Sequence, residues 1–260
     1  MRTVLDWNDK EVLLAKSKGG KLAFVDPFRG LLLGGTVEEH PTEIKRKLSK
    51  SRHQSAYQGE DLDAVTEILG HYCNLQSVNS EDAMTWSVFG PLLCAPASVR
   101  TEFCARLFHL IEPRLDPSQS AKLSLWRRVP HPDNSDPGGP ELDFLIETPR
   151  VVIIGEAKWN SSVGTHQGAS GDKDQMTIRK DFVEKYGRSF FPAVTTFVVL
   201  GVHLNEAVVK PEEYRLDDSE ILFRNVPWED ICSITPHPAE EELPRYFQWK
   251  KRFSSNNRQR

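Results

Sequence analysis

Residues 140–159 read PELDFLIETPRVVIIGEAKW, and this stretch decides which fold the chain can form. The segment 142–146 is mostly apolar and strand-prone, and the break at 148–150 contains a proline, which fixes its own φ and cannot donate to a sheet ladder. The β-branched run 151–154 is typical of a strand that is buried on both faces. The stretch therefore predicts two short strands joined by a tight turn.

The second of these strands ends in charged residues rather than apolar ones. Side chains alternate along a strand, so Glu156 and Lys158 share one face and Ala157 lies on the other. If the two strands pair, Asp143 comes close to Glu156. Two carboxylates and an ammonium at the end of a buried strand are costly to desolvate unless they pair with one another or bind a cation. We interpret the three as a candidate metal site; a plain salt bridge between Glu156 and Lys158 is the alternative.

The pattern resembles the motif of the PD-(D/E)xK nuclease superfamily, the proteins with the restriction-endonuclease-like fold. In that motif an Asp begins one strand, a short hairpin follows, and Glu-x-Lys lies on the next strand. Here Asp143 is followed, after twelve residues, by 156–158, while the proline of the motif is displaced to Pro140. The resemblance spans roughly residues 79–204. It implies an α/β (α+β) protein with an αβββαβ core, in which helices flank a mixed central sheet.

The resemblance also implies a set of site residues. Asp143, Glu156 and the backbone carbonyl of Ala157 are expected to bind Mg²⁺ or Mn²⁺, since hard oxygen ligands suit these ions. Lys158 is expected to orient or deprotonate the attacking water, or to balance charge on the phosphate. These alternatives for Lys158 stay open at the level of the sequence.

Two helices are expected to supply supporting residues. In the resembled family a Glu from a helix ahead of the strands often completes the metal site, and Glu81 is the candidate here, with Asp82 as its substitute. Acidic residues in a first helical turn are also favoured by the helix dipole alone, and Asn79-Ser80 offers the N-cap. On the helix after the Glu-x-Lys motif, Gln175 is expected near the metal or the phosphate. Arg179, four residues later, shares its face and is a nucleic-acid contact candidate.

The remaining patterns predict the order of elements and three segments. We expect helices from residue 79 and over 98–111, a strand at 123–129, a loop at 130–140, and a last clear strand at 193–204. Residues 1–78 are expected to form an accessory segment, 79–205 the nuclease-like core, and 206–260 an irregular extension with a basic tail. In that tail, 249–260 interleaves aromatic and basic residues, which fits either contact with a nucleic-acid backbone or a frayed end.

The N-terminal segment carries a basic run and a weaker strand signal. A strand pair is expected at 21–25 and 30–35. The segment 41–55 looks helical, and its residues Lys45, Arg46 and Lys47 are candidates for contacts with phosphates, although a solvated helix face explains them equally.

Composition limits the classes of function. The 260 residues are 38% hydrophobic and 27% charged, with a net charge of −4, so any nucleic-acid surface must be a local patch. No apolar run is long enough to span a membrane and the N-terminus lacks a signal-peptide pattern, so a cytoplasmic protein without membrane contact is expected. The cysteines at 73, 94, 104 and 232 lack zinc-site spacing and are expected to be reduced thiols.

The sequence thus favours a metal-dependent nuclease, with DNA as the expected substrate and endonuclease action as the expected mode. The main alternative is a catalytically inactive nuclease-like module that binds nucleic acid or a protein partner. A third reading is an unrelated α/β protein in which Glu156 and Lys158 only form a salt bridge. Cutting both strands of a duplex would normally call for a homodimer, so a dimer also fits the first reading.

Overall fold

The computed structural model describes residues 2–16, 22–25, 27–32, 74–115, 120–133, 139–160, 173–210 and 221–255. Its strands are β1 (Arg2–Leu5), β2 (Glu11–Lys16), β3 (Leu22–Phe24), β4 (Lys122–Arg128), β5 (Glu141–Glu147), β6 (Val151–Ala157), β7 (Thr196–His203) and β8 (Ile221–Pro227). Its α-helices are α1 (Glu81–Cys94), α2 (Ala97–Ile111), α3 (Gln175–Phe182), α4 (Arg188–Phe190), α5 (Trp228–Cys232) and α6 (Leu243–Ser255). A π-helical turn, Val183–Gly187, joins α3 to α4, and 3-10 turns occupy Pro27–Gly30 and Asn74–Gln76.

The chain divides into two compact units, one formed by residues 1–95 and 237–260 and the other by residues 96–236. The boundaries predicted from sequence lay at 78/79 and 205/206. In the structure, by contrast, α1 belongs to the same unit as the N-terminal residues, and β8 belongs to the unit with the larger sheet. No helix in the described ranges is both long enough and apolar enough to cross a membrane.

The first unit is built on a three-stranded antiparallel sheet in the order β1-β2-β3. β3 pairs with β2, so the predicted pairing of 21–25 with 30–35 is wrong for the described residues: the 3-10 turn Pro27–Gly30 begins at a proline, which favours a turn over a strand. The helix α6 belongs to this unit, and its Trp249 donates an indole hydrogen bond of 2.7 Å to the Leu5 carbonyl. The apolar core of the unit joins Val12, Leu14, Leu22, Phe24, Val78 and Trp249.

The segment 206–260 was expected to be irregular, and that expectation is wrong for 221–255, whereas 211–220 and 256–260 lie outside the described residues. β8, α5 and α6 all lie in it. Within α6, Trp249 and Lys250 are buried, because this helix turns one face into its unit's core. The pattern of aromatic and basic residues at 249–255 is therefore an amphipathic helix rather than a frayed tail.

The second unit holds a five-stranded mixed sheet in the order β4-β5-β6-β7-β8. β4, β5 and β6 pair antiparallel, whereas β6, β7 and β8 run parallel. Because β6 and β7 are parallel, the chain must cross over between them, and α3 forms part of that crossover. The predicted strands around 123–129, 142–146, 151–154 and 193–204 are all present within a few residues.

Helices cover both faces of this sheet. Phe223 of β8 packs in a cluster with Met176 of α3, whereas its neighbour Arg224 forms a 2.6 Å ion pair with Glu112, the C-cap of α2. Successive residues of a strand point to opposite faces, so α2 and α3 lie on opposite sides of the sheet. The protein is therefore a mixed α/β protein whose five-stranded sheet is flanked by helices, as the sequence predicted at this level of detail.

Candidate functional site

The hairpin of β5 and β6 sets Asp143 opposite Glu156. Phe144 pairs with Gly155 in the antiparallel register, and Asp143 and Glu156 are the next residues on their strands beyond this pair. The carboxylate of Asp143 accepts a 2.7 Å hydrogen bond from the backbone N–H of Ala157 through Oδ2. The closeness of Asp143 to the Glu-x-Lys segment that the sequence predicted is thus present in the structure.

Glycine at position 155 allows this approach. A Cβ on Gly155 would lie 2.1 Å from the ring of Phe144, which is fully buried. The aromatic ring of one strand therefore fills the space that a side chain would take on the other. This close packing brings the ends of the two strands, and the carboxylates they carry, into register.

Glu156 is buried and each of its oxygens is paired with a cation. Its side chain is 2% exposed, Oε1 lies 2.8 Å from the Lys158 ammonium, and Oε2 lies 2.7 Å from Nη2 of Arg179. The Lys158 and Arg179 side chains are 9% and 3% exposed. In so dry an environment a carboxylate needs opposite charge and hydrogen bonds to offset its desolvation, and the two cations supply both.

Lys158 follows β6 directly, and its backbone is held from two sides. Its N–H donates to the Val202 carbonyl at 2.7 Å, which continues the parallel ladder with β7. Its own carbonyl accepts a 3.1 Å hydrogen bond from the indole N–H of Trp228. Sequence reasoning missed Trp228, because it lies just after β8 in a segment that was expected to be irregular.

Arg179 reaches the site from α3. Asp174 caps this helix by accepting a 2.6 Å hydrogen bond from the Thr177 N–H, so the helix begins at Gln175. Nη2 of Arg179 donates both to Glu156 and, at 2.8 Å, to the Glu141 carbonyl. Its Nε and Nη1 atoms are buried without a hydrogen-bond partner among the described residues. Gln175 is the first residue of α3, half-buried, one turn before Arg179 on the same face.

The donor set fits a small divalent cation in kind. Asp143 and Glu156 carry carboxylates on neighbouring strands, and carboxylate oxygen is the ligand that Mg²⁺ and Mn²⁺ prefer. Across the described ranges, no group of three or more His, Cys, Asp or Glu side chains is arranged so that it could hold a metal ion. A cation at this point would therefore rely on the two carboxylates, backbone carbonyls such as that of Ala157, and its own waters. It would also have to share Glu156 with Lys158 and Arg179.

The remaining predicted residues are not described together with this cluster. Glu81 and Asp82 occupy the first turn of α1, where the Ser80 hydroxyl caps the helix by accepting a 2.9 Å hydrogen bond from the Ala83 N–H. They belong to the first unit, whereas Asp143, Glu156 and Lys158 belong to the second. The basic candidates Lys45, Arg46 and Lys47 lie outside the described residues.

His203 is a polar residue next to the site that sequence reasoning did not single out. It ends β7, one residue after Val202, so it neighbours Lys158 across the parallel pair. Burial lowers the pKa of its imidazole, and the negative charge of Asp230 acts in the opposite direction but has the smaller effect. The sequence did contain a signal for His203, because the apolar strand β7 ends in a polar residue at 203, just as β6 carries a polar residue at 156 near its end.

The three described cysteines carry thiols rather than disulfides. Cys94, Cys104 and Cys232 form no disulfide, and burial raises the pKa of the Cys104 thiol to about 12. So high a pKa leaves almost no thiolate at neutral pH, and the thiol of Cys104 is therefore unreactive.

The chain was compared with models of known protein families and with curated proteins, and neither comparison produced a match.

Proposed function

We propose that this protein is a metal-dependent nuclease that hydrolyses phosphodiester bonds of nucleic acid, with DNA as the expected substrate. The observation that supports the proposal best is the pairing of two carboxylates with a lysine on adjacent strands. Asp143 accepts a hydrogen bond from the N–H of Ala157, the residue after Glu156, and Lys158 lies 2.8 Å from Glu156 in a buried setting. Buried charge of this density at the end of a strand is expensive to maintain, and such clusters are enriched at functional sites.

The residues divide the chemistry between them. Asp143, Glu156 and the carbonyl of Ala157 would hold Mg²⁺ or Mn²⁺, which would supply Lewis acidity toward the phosphate when bound. Lys158 is an ammonium in its ion pair with Glu156, so its proposed part is to orient the attacking water and to balance the charge that grows on the phosphate. Gln175 and Arg179, on one face of α3, would support the site from the helix.

A second function has a specific observation in its favour. Both oxygens of Glu156 already pair with cations, so the cluster of Asp143, Glu156, Lys158 and Arg179 is neutral overall by formal charge. A neutral cluster can be a purely structural element of the sheet. In that case the chain would be a nuclease-like module that binds nucleic acid or a protein partner without cleaving.

The experiment that separates the two is a cleavage assay on the full chain. Supercoiled plasmid, linear duplex, single-stranded DNA and RNA are each incubated with Mg²⁺, Mn²⁺ or EDTA. The variants are Asp143→Ala and Lys158→Ala, with Lys180→Ala as a matched control. Lys180 lies on α3 beside Arg179 but pairs with Glu184 at 2.8 Å instead of with Glu156. All proteins are first compared by circular dichroism and thermal melting.

Cleavage that requires the metal, disappears in both site variants and persists in Lys180→Ala would support the nuclease and identify its substrate. Absence of cleavage under every condition, with nucleic-acid binding equal in all four proteins, would contradict the nuclease and leave the binding module. Cleavage that persists in folded Asp143→Ala would contradict the assignment of the site.

A further inference from the structure

Arg179 is buried and charged, and only part of the hydrogen-bonding capacity of its guanidinium is used by the described residues. One nitrogen of its guanidinium, Nη2, donates hydrogen bonds to Glu156 and to the Glu141 carbonyl. The other two nitrogens, Nε and Nη1, are buried and have no hydrogen-bond partner among the described residues. Buried donors are nearly always satisfied in folded proteins, and leaving them unsatisfied is unfavourable. A guanidinium in this condition is suited to a ligand that accepts hydrogen bonds and carries negative charge.

The charges around Glu156 determine what else can bind there. The two carboxylates, Asp143 and Glu156, are matched by two cations, Lys158 and Arg179. A divalent cation that bound Glu156 would bring two more positive charges within a few ångströms of the Lys158 ammonium and the Arg179 guanidinium. At such distances in a buried site the repulsion is large. Metal binding alone is therefore opposed by the chain's own cations.

We infer that Arg179 is an internal counter-ion of Glu156 which a divalent metal must displace, and that the phosphate of the nucleic acid takes up the displaced guanidinium. This inference rests on the proposed nuclease function and deepens it. Metal and phosphate then bind cooperatively, because the anion relieves the repulsion that the metal creates. By linkage the metal must strengthen phosphate binding by the same factor. Arg179 is a positioning residue in this scheme, acting on Glu156 and on the substrate phosphate.

Lys158 does not serve equally well as the displaced cation. It lies two residues from Glu156 on the same strand face, and its backbone is fixed by Val202 and Trp228. Arg179 reaches Glu156 from a separate element, α3, so its side chain can withdraw without any change in the strand. The Nε and Nη1 atoms of Arg179, which are buried without a hydrogen-bond partner among the described residues, also provide donors for the new hydrogen bonds.

The test measures metal affinity rather than cleavage. Mn²⁺ is titrated into the full-length protein by calorimetry, first alone and then with a saturating DNA duplex whose phosphates are replaced by phosphorothioates to slow cleavage. The proteins are wild type, Arg179→Met, Arg179→Lys and the control Lys180→Met. Thermal melting without metal establishes that each variant is folded.

For the wild type we expect Mn²⁺ to bind at least about tenfold more tightly with the duplex than without it. Arg179→Met should bind Mn²⁺ alone at least about tenfold more tightly than wild type and should lose most of the effect of the duplex. Arg179→Lys keeps the positive charge and should restore weak binding of Mn²⁺ alone. Lys180→Met should behave as wild type in both titrations.

Two results would overturn the inference. The first is a wild type that binds Mn²⁺ equally with and without the duplex. The second is a folded Arg179→Met whose affinity for Mn²⁺ alone equals or falls below that of the wild type. Either result leaves the nuclease proposal standing if cleavage still depends on metal and Asp143. If the wild type binds no Mn²⁺ in either titration, both proposals fail together. Should Arg179→Met not fold, the wild-type titrations with and without duplex decide alone.

Discussion

The backbone N–H of Ala157 donates a 2.7 Å hydrogen bond to the carboxylate of Asp143, so the side chain of one strand ties down the end of the next. This bond lies just beyond the paired region of β5 and β6, whose last pair at this end is Phe144 with Gly155. Asp143 therefore has a structural part that is independent of any catalytic one. The two can be separated by substitution.

Asp143→Asn should preserve the fold and remove the proposed activity. The amide oxygen still accepts from the Ala157 N–H, but the negative charge that a metal needs is lost. Asp143→Ala should lose the hydrogen bond as well, at about 1–2 kcal/mol of unfolding free energy, or a few degrees in Tm. Thermal melting and Mn²⁺-dependent cleavage, measured on both variants, check this. An Asp143→Asn protein that cleaves as well as wild type would contradict the expectation.

Glu156→Gln should be strongly destabilising, because it leaves Lys158 and Arg179 buried without their shared counter-ion. Breaking a buried ion pair from one side typically costs about 3–5 kcal/mol. The double variant Glu156→Gln/Arg179→Met removes one of the stranded cations and should be less destabilised than the sum of its single variants by about 1 kcal/mol or more. Urea unfolding of the four proteins measures this coupling. Strict additivity would mean that the two side chains do not interact as the distances imply.

Gly155→Ala should destabilise the hairpin, because the added Cβ would meet the buried ring of Phe144 at 2.1 Å. Overpacking of this kind costs about 1–3 kcal/mol. Truncation of the ring in Gly155→Ala/Phe144→Leu makes room for the methyl group, so the double variant should be less destabilised than the two single changes predict. Denaturant unfolding is the measurement. A Gly155→Ala protein as stable as wild type would show that the two strands can separate there at no cost.

Lys250 should make the stability of the protein depend on pH. Burial lowers the pKa of this lysine from 10.5 to about 7 in the folded chain. Between those values the unfolded chain binds the proton and the folded chain does not, so this residue's contribution to stability rises with pH and is lost as pH falls toward 7. Lys250→Met lacks the effect. Lys250 donates a 2.9 Å hydrogen bond to the Val78 carbonyl, which also accepts one from the Ser254 hydroxyl, and we expect the latter bond to persist in the variant.

The difference in unfolding free energy between Lys250→Met and wild type should therefore favour the variant most at pH 7. It should shrink by about 1.4 kcal/mol per pH unit between pH 7.5 and 9.5. Lys251→Met serves as the control, since Lys251 is half-exposed and lies over the Phe247 ring. The difference in unfolding free energy between Lys251→Met and wild type should be constant over the same pH range. A constant difference for Lys250→Met would show that the buried lysine keeps its proton.

Much of the second unit, and the start of α1 in the first unit, could be predicted from local patterns. The hairpin at 141–157 follows from two strand-prone runs and a proline-containing turn, and the α1 N-terminus follows from Ser80, whose hydroxyl caps the helix. The proximity of Asp143 to Glu156 followed from the same hairpin, since a tight turn leaves few registers available. These features depend on neighbours in the chain, and for that reason the sequence was enough to predict them.

The remaining features depended on contacts between distant segments. β8 carries Arg224 and Asn225 in its middle, and no local pattern marks it as a strand; Glu112 pairs with the former, and the N–H groups of Val208 and Val209 bond to the latter. The sequence placed Arg179 on a face of a helix. Its ion pair with Glu156, however, depends on where α3 packs on the sheet, which the sequence did not show. The sequence by itself thus determined which charges gather at the end of β6. Only the tertiary structure decided that two cations neutralise Glu156, because that pairing joins residues from a strand and from a helix that the chain connects through a crossover.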